Sequence, residues 1–266
     1  MKFITASSGR IVEQSQLQRA AAGRRIVIGV SGLDEIYGSG FVRGAVHELL
    51  HPLGSAKPTF PAILLAKAVI GAAHSTPIIG LDNFLSPTPD LSQLPDQRPG
   101  EIPAGVIVIS DPKRKLYPPA AAQLGIPLAR LYLLHPSNRE QELWAIAECL
   151  ASAGVCAVVA ELGALNQVEA RRLQLAAERG GSAGIFIRPA TKTSSIYAAA
   201  TRMLVTPASP TAIAQRWNLQ ILHGHGCQVG NNVVLEYNRE EHTVHTSAEL
   251  FHHEAAAKTK AARATA

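Results

Sequence analysis

Residues 27–67 read VIGVSGLDEIYGSGFVRGAVHELLHPLGSAKPTFPAILLAK, and the interpretation of this stretch decides the fold. Gly38, Gly40 and Gly44 fall where the chain must turn tightly, because glycine enters left-handed backbone without steric cost. The turn delivers Ala45–His51 (AVHELLH), an apolar-rich run of strand length. A short loop, HPLGSAKPT, follows. Thr59–Ala73 then predicts a helix with Pro58 or Pro61 in its first turn.

Working outward, short apolar runs alternate with helical patterns. Gly105–Ser110, Leu131–His135, Val155–Ala160 and Ala183–Arg188 read as buried strands. Between them, Ser137 or Asn138 caps a helix running to Ala151, and Asn166–Arg179 forms a long helix closed by Gly180-Gly181. Continuous apolar strands separated by helices predict a mainly parallel sheet covered on both faces. Beyond Ser194, Ala198–Thr206, Arg216–His223 and Asn232–Tyr237 follow without helices, which predicts an antiparallel C-terminal extension on one sheet edge. The expected organisation is a basic arm with an amphipathic helix over 1–25, an α/β domain over 26–250 and a flexible basic tail over 251–266. Residues 82–104, rich in Pro, Ser and Asp, read as a long inserted loop.

The chain has 266 residues, 47% of them hydrophobic and 17% charged, which excludes disordered and collagen-like classes. Its longest apolar stretch, Pro61–Ala73, is too short to cross a bilayer and is interrupted by Lys67. The start, MKFITASSGRIVEQSQ, lacks an apolar signal core, so a cytoplasmic protein without membrane contact is expected. Cys149, Cys156 and Cys227 have no CxxC pairing, which argues against a disulfide framework or a zinc site. The net charge of +5 is concentrated at the ends: Lys2, Arg10, Arg19, Arg24 and Arg25 face only Glu13, and Lys258, Lys260 and Arg263 face no acid after residue 254. The body between is slightly acidic. Basic ends suit contact with nucleic acid or an acidic partner, and equally serve as solubilising tails.

SGLDEIYGSGFVRGAVHEL resembles the entry to a RecA-type P-loop domain, where such a segment leads into the first core strand. The loop after that strand departs from the G-x-x-x-x-G-K-[ST] pattern, whose glycines admit phosphates, whose lysine neutralises them and whose hydroxyl holds magnesium. His51 and Ala56 stand at the glycine positions and Pro58 at the hydroxyl position, leaving Lys57, with Gly54, Ser55 and Thr59 as partial replacements. Lys57 reads either as a residual phosphate ligand or as an ordinary surface lysine. In the same resemblance the water-activating glutamate falls on Lys113, the Walker B aspartate on Ala160, and the nucleotide-sensing glutamine on Arg188. Glu161 could replace the aspartate only by a register slip, which would normally turn it to the other sheet face.

Over about residues 28–237 the chain resembles the ImuA family of inducible-mutagenesis accessory proteins. The resemblance rests on KLYPPAAAQLGI (115–126), ELWAIAECLASAGVCAVVAEL (142–162), EARRLQLAAERGG (169–181) and RWNLQILHGHG (216–226), in the family's order. It implies a RecA-like P-loop NTPase fold without catalytic residues and a role in SOS mutagenesis and translesion synthesis. The implied partners are an ImuB-like Y-family polymerase homologue, an error-prone C-family DNA polymerase reached indirectly, RecA and DNA. No cofactor is expected, ATP with magnesium being the one candidate. Alternative functions are an active RecA-type ATPase in repair and a SulA-like inhibitor of cell division.

Two further groups could contact DNA or a partner. Arg172 and Arg179 share one face of the helix over 166–179, with Arg171 beside them, and Glu169 and Glu178 partly neutralise it. The loop RPATKTSS (188–195) offers Arg188 and Lys192 where RecA proteins carry a DNA-binding loop; without aromatics for stacking, binding there would rest on charge. His223, His225 and Cys227 lack a further metal ligand nearby, and no metal is expected. Trp144 is expected to anchor packing between helix and sheet.

Overall fold

The computed structural model describes residues 25–38, 40–72, 105–190, 199–224 and 226–247. The N-terminal helix, the 82–104 insertion and the C-terminal tail expected from the sequence lie outside these residues. A two-stranded ribbon pairs β1 (Arg25–Ile26) with β2 (Phe41–Val42), with helix α1 (Ser31–Tyr37) between them. The main sheet has nine strands: β3 (Ala45–His51), β4 (Val106–Ser110), β5 (Leu131–Leu134), β6 (Val155–Glu161), β7 (Ala183–Pro189), β8 (Thr201–Ala208), β9 (Ala214–Gly224), β10 (Asn232–Asn238) and β11 (Val244–Ser247). Their order is β11-β10-β9-β8-β3-β7-β6-β4-β5. The helices are α2 (Thr59–Ala72), α3 (Pro118–Gln123), α4 (Arg139–Ala151) and α5 (Gln167–Gly180).

The parallel sheet and its antiparallel extension match the expected fold class. One detail differs: β8 still pairs parallel with β3, so the direction changes between β8 and β9, and a further strand, β11, closes the edge. Strand alternation separates two cores. Leu49, Ile109, Val159, Ile187 and Met203 face α2, whereas Val46, Val108, Ala160 and Phe186 face α4 and α5.

The SGLDEIYGSG segment owes its composition to close packing. Leu33, Ile36 and Tyr37 of α1 are buried, and α1 packs against β10 and β11. A Cβ on Gly32 would fall 2.6 Å from Thr246 Oγ1, so only glycine permits this approach. The Asp34 carboxylate accepts the amides of Ile28 (2.6 Å) and Gly29 (3.0 Å), closing the turn before α1. Gly38 has φ +62°, and a Cβ there would meet the Gly226 carbonyl oxygen at 2.4 Å.

β3 is buried at all seven positions although it carries His47, Glu48 and His51. Each polar side chain has partners. His47 bonds the Thr201 hydroxyl through Nδ1 (2.7 Å) and donates to the Val42 carbonyl through Nε2 (2.8 Å), while stacking on Phe41. Glu48 takes Arg202 Nε (2.8 Å) on one oxygen and Arg188 on the other. All three side chains of this triad are more than nine-tenths buried. Arg202 lies opposite Glu48 in the β3–β8 pairing, and Arg188 lies two residues beyond Phe186, its opposite in β7.

The packing sets four expectations for stability. Gly38→Ala combines positive φ with a backbone collision and should cost about 2 kcal/mol or more in urea unfolding. Gly54→Ala, with φ +79° but nothing within 4 Å of its Cβ, should cost about 1 kcal/mol. Glu48→Gln leaves two guanidiniums buried against a neutral amide and should cost about 3 kcal/mol, more than Arg188→Ala, which leaves Glu48 paired with Arg202. Burial lowers the pKa of His47 from 6.5 to about 4. The unfolded chain therefore binds a proton that the native chain refuses between those values. Stability attributable to His47 should fall by about 3 kcal/mol as pH drops from 6.5 to 4, and His47→Gln should flatten that part of the profile.

Candidate functional site

The loop after β3 sits at the C-terminal end of the central strand, where open α/β sheets bind ligands. Its chain folds back on one carbonyl. The Pro52 oxygen accepts the Ser55 amide (3.1 Å), the Ser55 hydroxyl (2.8 Å) and His51 Nδ1 (3.0 Å). Ser55 thus turns both of its donors inward to Pro52. A phosphate cradle needs such donors converging on an outside anion. Thr59 opens α2 as an exposed residue, its amide bonded to the Lys57 carbonyl at 2.9 Å. The candidate nucleotide-binding residues Gly54, Ser55, Lys57 and Thr59 therefore lie within one loop and helix start.

The Lys57 ammonium donates to the Glu161 carboxylate at the end of β6. Both side chains are close to half exposed, 43% and 46%, so the pair contributes at most about 1 kcal/mol to stability. It does define the local charge. Glu161 reaches Lys57 because it alternates with Ala160: Ala160 joins the core under α4 and α5, and Glu161 follows Val159 to the α2 side. The expectation that Glu161 would turn away from the loop is thus corrected. Ala160, read as the aspartate position, is the residue that faces away.

The other carboxylates at this end of the sheet are engaged by their own surroundings. Asp111, just past β4, accepts the Lys115 amide at 2.9 Å and the Leu116 amide at 2.8 Å, which shapes the turn. Lys113, read from the resemblance as the water-activating position, is exposed in that turn. Glu142 accepts the Ser110 hydroxyl at 2.6 Å. Among the described residues, Asp111, Glu142 and Glu161 all have partners in place.

Of the residues expected to contact DNA or a partner, Arg188 is buried: it pairs with Glu48 and donates through Nε to the Gly163 carbonyl at 3.2 Å. It ties strands together and offers no guanidinium to a surface ligand, which corrects the sequence reading. Lys192 lies outside the described residues. Arg171, Arg172 and Arg179 are exposed on α5. Trp144, expected to pack, is 55% exposed, so it is not a core anchor.

Sequence reasoning passed over the Glu48–Arg188–Arg202 triad and the Lys57–Glu161 pair. A signal for the triad was present. A carboxylate within AVHELLH, an arginine within IFIRP and another within TRMLV each interrupt a buried strand, and buried charges of opposite sign require one another. The Lys57–Glu161 pair depended on strand register, which the β-branched run of β6 leaves open.

No protein-family profile matches the chain. Two curated relatives, each named Protein ImuA and belonging to two strains of Caulobacter vibrioides, are 34% identical to it over 83 residues, 31% of this chain and 34% of theirs. The match thus spans about a third of the relatives' own length. Among solved structures, the crystal structure of the RadB recombinase superposes with a TM-score of 0.57 at 12% identity, over 84% of this chain and 99% of that one. The chain therefore has a RecA-like α/β fold, with a divergent likeness to ImuA carried by one limited stretch.

Proposed function

We propose that this protein is a non-catalytic, RecA-like accessory factor of DNA-damage-induced mutagenesis, working as an adaptor. On this reading its partner is an ImuB-like Y-family polymerase homologue, through which it reaches an error-prone C-family polymerase, with RecA and DNA as further contacts. The likeness to ImuA supports the pathway. The observation that carries the non-catalytic part is the loop after β3. Its lysine is neutralised by Glu161, its serine is turned to Pro52, and Pro58 replaces the magnesium-binding hydroxyl. Proline offers neither hydroxyl nor amide hydrogen. An ammonium, Lys113, occupies the position of the general base and cannot accept a proton in its charged form. These residues do not fit magnesium triphosphate, and no hydrolytic step is assigned to them.

A second reading, a retained ATPase, is favoured by two features: Glu161 beside Lys57 puts a carboxylate on the loop side of β6, and Thr59 lies one residue past Pro58. Complementation separates the two readings. Deleting the gene should abolish damage-induced mutation, and the Lys57→Ala variant should restore it as fully as the wild type. A fluorescent ATP analogue with magnesium should show no saturable binding below about 1 mM, a ceiling of about −4 kcal/mol. Micromolar binding lost in both Lys57→Ala and Glu161→Gln, with failed complementation by folded Lys57→Ala, would establish the ATPase. Unchanged mutagenesis in the deletion strain would remove the pathway assignment altogether.

A further inference from the structure

The outer surface of α5 has the composition of a protein contact. Val168, Arg172, Leu175 and Arg179 follow at spacings of four, three and four residues, which lays them along one helical face. Val168 is 77% exposed and Leu175 46%, although the inward face of the helix is already filled by Leu173, Ala176 and Ala177. Their exposure therefore serves no packing need within the described residues. Arg171, Arg172 and Arg179 make no hydrogen bond or ion pair among the described residues, in contrast to Arg139, which binds Glu169 and the Ala164 carbonyl. The helix is held rigid at both ends, by the Asn166–Glu169 capping box and by Gly181 in the left-handed conformation. Little ordering entropy would be lost there on binding.

Beside this face, Arg172 with Leu143 and Leu173 lines a groove of about 360 Å³ between α4 and α5. Trp144 lies one helical turn beyond Glu140, another residue of the groove, and extends the apolar surface. Exposed tryptophan and arginine side chains around a groove are the residue types that anchor protein partners.

The same features disfavour a phosphate backbone. Glu140 and Glu169 line the groove, and Glu178 is exposed next to Arg179. A nucleic acid following the arginines would meet these carboxylates and would leave Val168 and Leu175 uncovered. A peptide can instead place single carboxylates over single arginines and keep apolar groups between them. We infer that the outer face of α5 docks an acidic amphipathic segment of another protein, its carboxylates on Arg171, Arg172 and Arg179 and its apolar side chains on Val168 and Leu175. This inference rests on the adaptor reading.

The test is photocrosslinking in cells of the source organism after DNA damage, with p-benzoylphenylalanine at position 175 of the full-length chain and, as control, at exposed Leu222 of β9. A crosslinked segment carrying several Asp or Glu residues between apolar ones is expected at position 175 alone. A synthetic peptide of that segment should bind the purified protein. Arg172→Glu with Arg179→Glu, and separately Val168→Ser with Leu175→Ser, should each weaken binding about tenfold or more at an unchanged melting temperature. Arginines replacing the peptide's acids should restore affinity for the charge-reversed variant. Crosslinks to nucleic acid, to a second copy of this chain or to a segment without carboxylates would overturn the inference, as would no crosslink above control or binding indifferent to the serine pair. Loss of damage-induced mutagenesis on gene deletion is read separately, so failure of the adaptor reading and failure of this docking face are distinguishable.

Discussion

The carboxylate of Glu48 ties an early strand to two late ones. β3 lies between β7 and β8 in the sheet, yet the chain reaches those two, one after the other, long after β3, and Glu48, Arg188 and Arg202 are the charged groups they bring together in the interior. An ion removed from water is unfavourable by several kcal/mol unless its partners are in place. The triad therefore tolerates few alternative registers: a slip of one residue in β7 or β8 would carry one arginine to the opposite face and leave Glu48 with half of its partners. Around this tie the two cores close, with α2 on one side and α4 and α5 on the other. β3 supports the loop that follows it because every one of its polar side chains is held.

That rigidity positions a site whose groups mostly answer one another. Lys57 meets Glu161, Ser55 meets Pro52, and Asp111 closes its own turn. A catalytic constellation leaves its donors and bases facing a space where substrate will sit. Here the electrostatic balance is internal, whereas on α5 three guanidiniums without partners among the described residues and two aliphatic side chains face solvent. The distribution of satisfied and unsatisfied groups thus shifts attention from the end of the sheet to the helical face.

Much of the architecture was legible along the chain. The strands from β3 to β7 were marked by apolar runs, and Asn138, Asn166 and Gly181 marked helix ends by capping chemistry that depends on neighbours a few residues away. Elements of low apolar contrast escaped notice: the two-residue strands β1 and β2, and β11, whose residues Val244–Ser247 resemble the polar turn before them. Trp144 was misjudged for a related reason. A large aromatic in a helix favours burial on average, but its rotational position, one turn from Glu140 and not among Ile146, Ala147 and Leu150, points it outward.

The sequence by itself determined most of the secondary structure, the α/β class and the absence of a G-x-x-x-x-G-K-[ST] pattern after β3, because periodicity, capping and residue identity act over a few neighbours. Tertiary structure alone decided that Glu161 rather than Ala160 faces the loop, that Arg188 is buried against Glu48 while Arg171, Arg172 and Arg179 stay in water, and that β8 runs parallel to β3. These outcomes depend on strand register and on which distant segments become neighbours. Register is set by the sum of packing on both faces of a sheet, a quantity that no local stretch of residues contains.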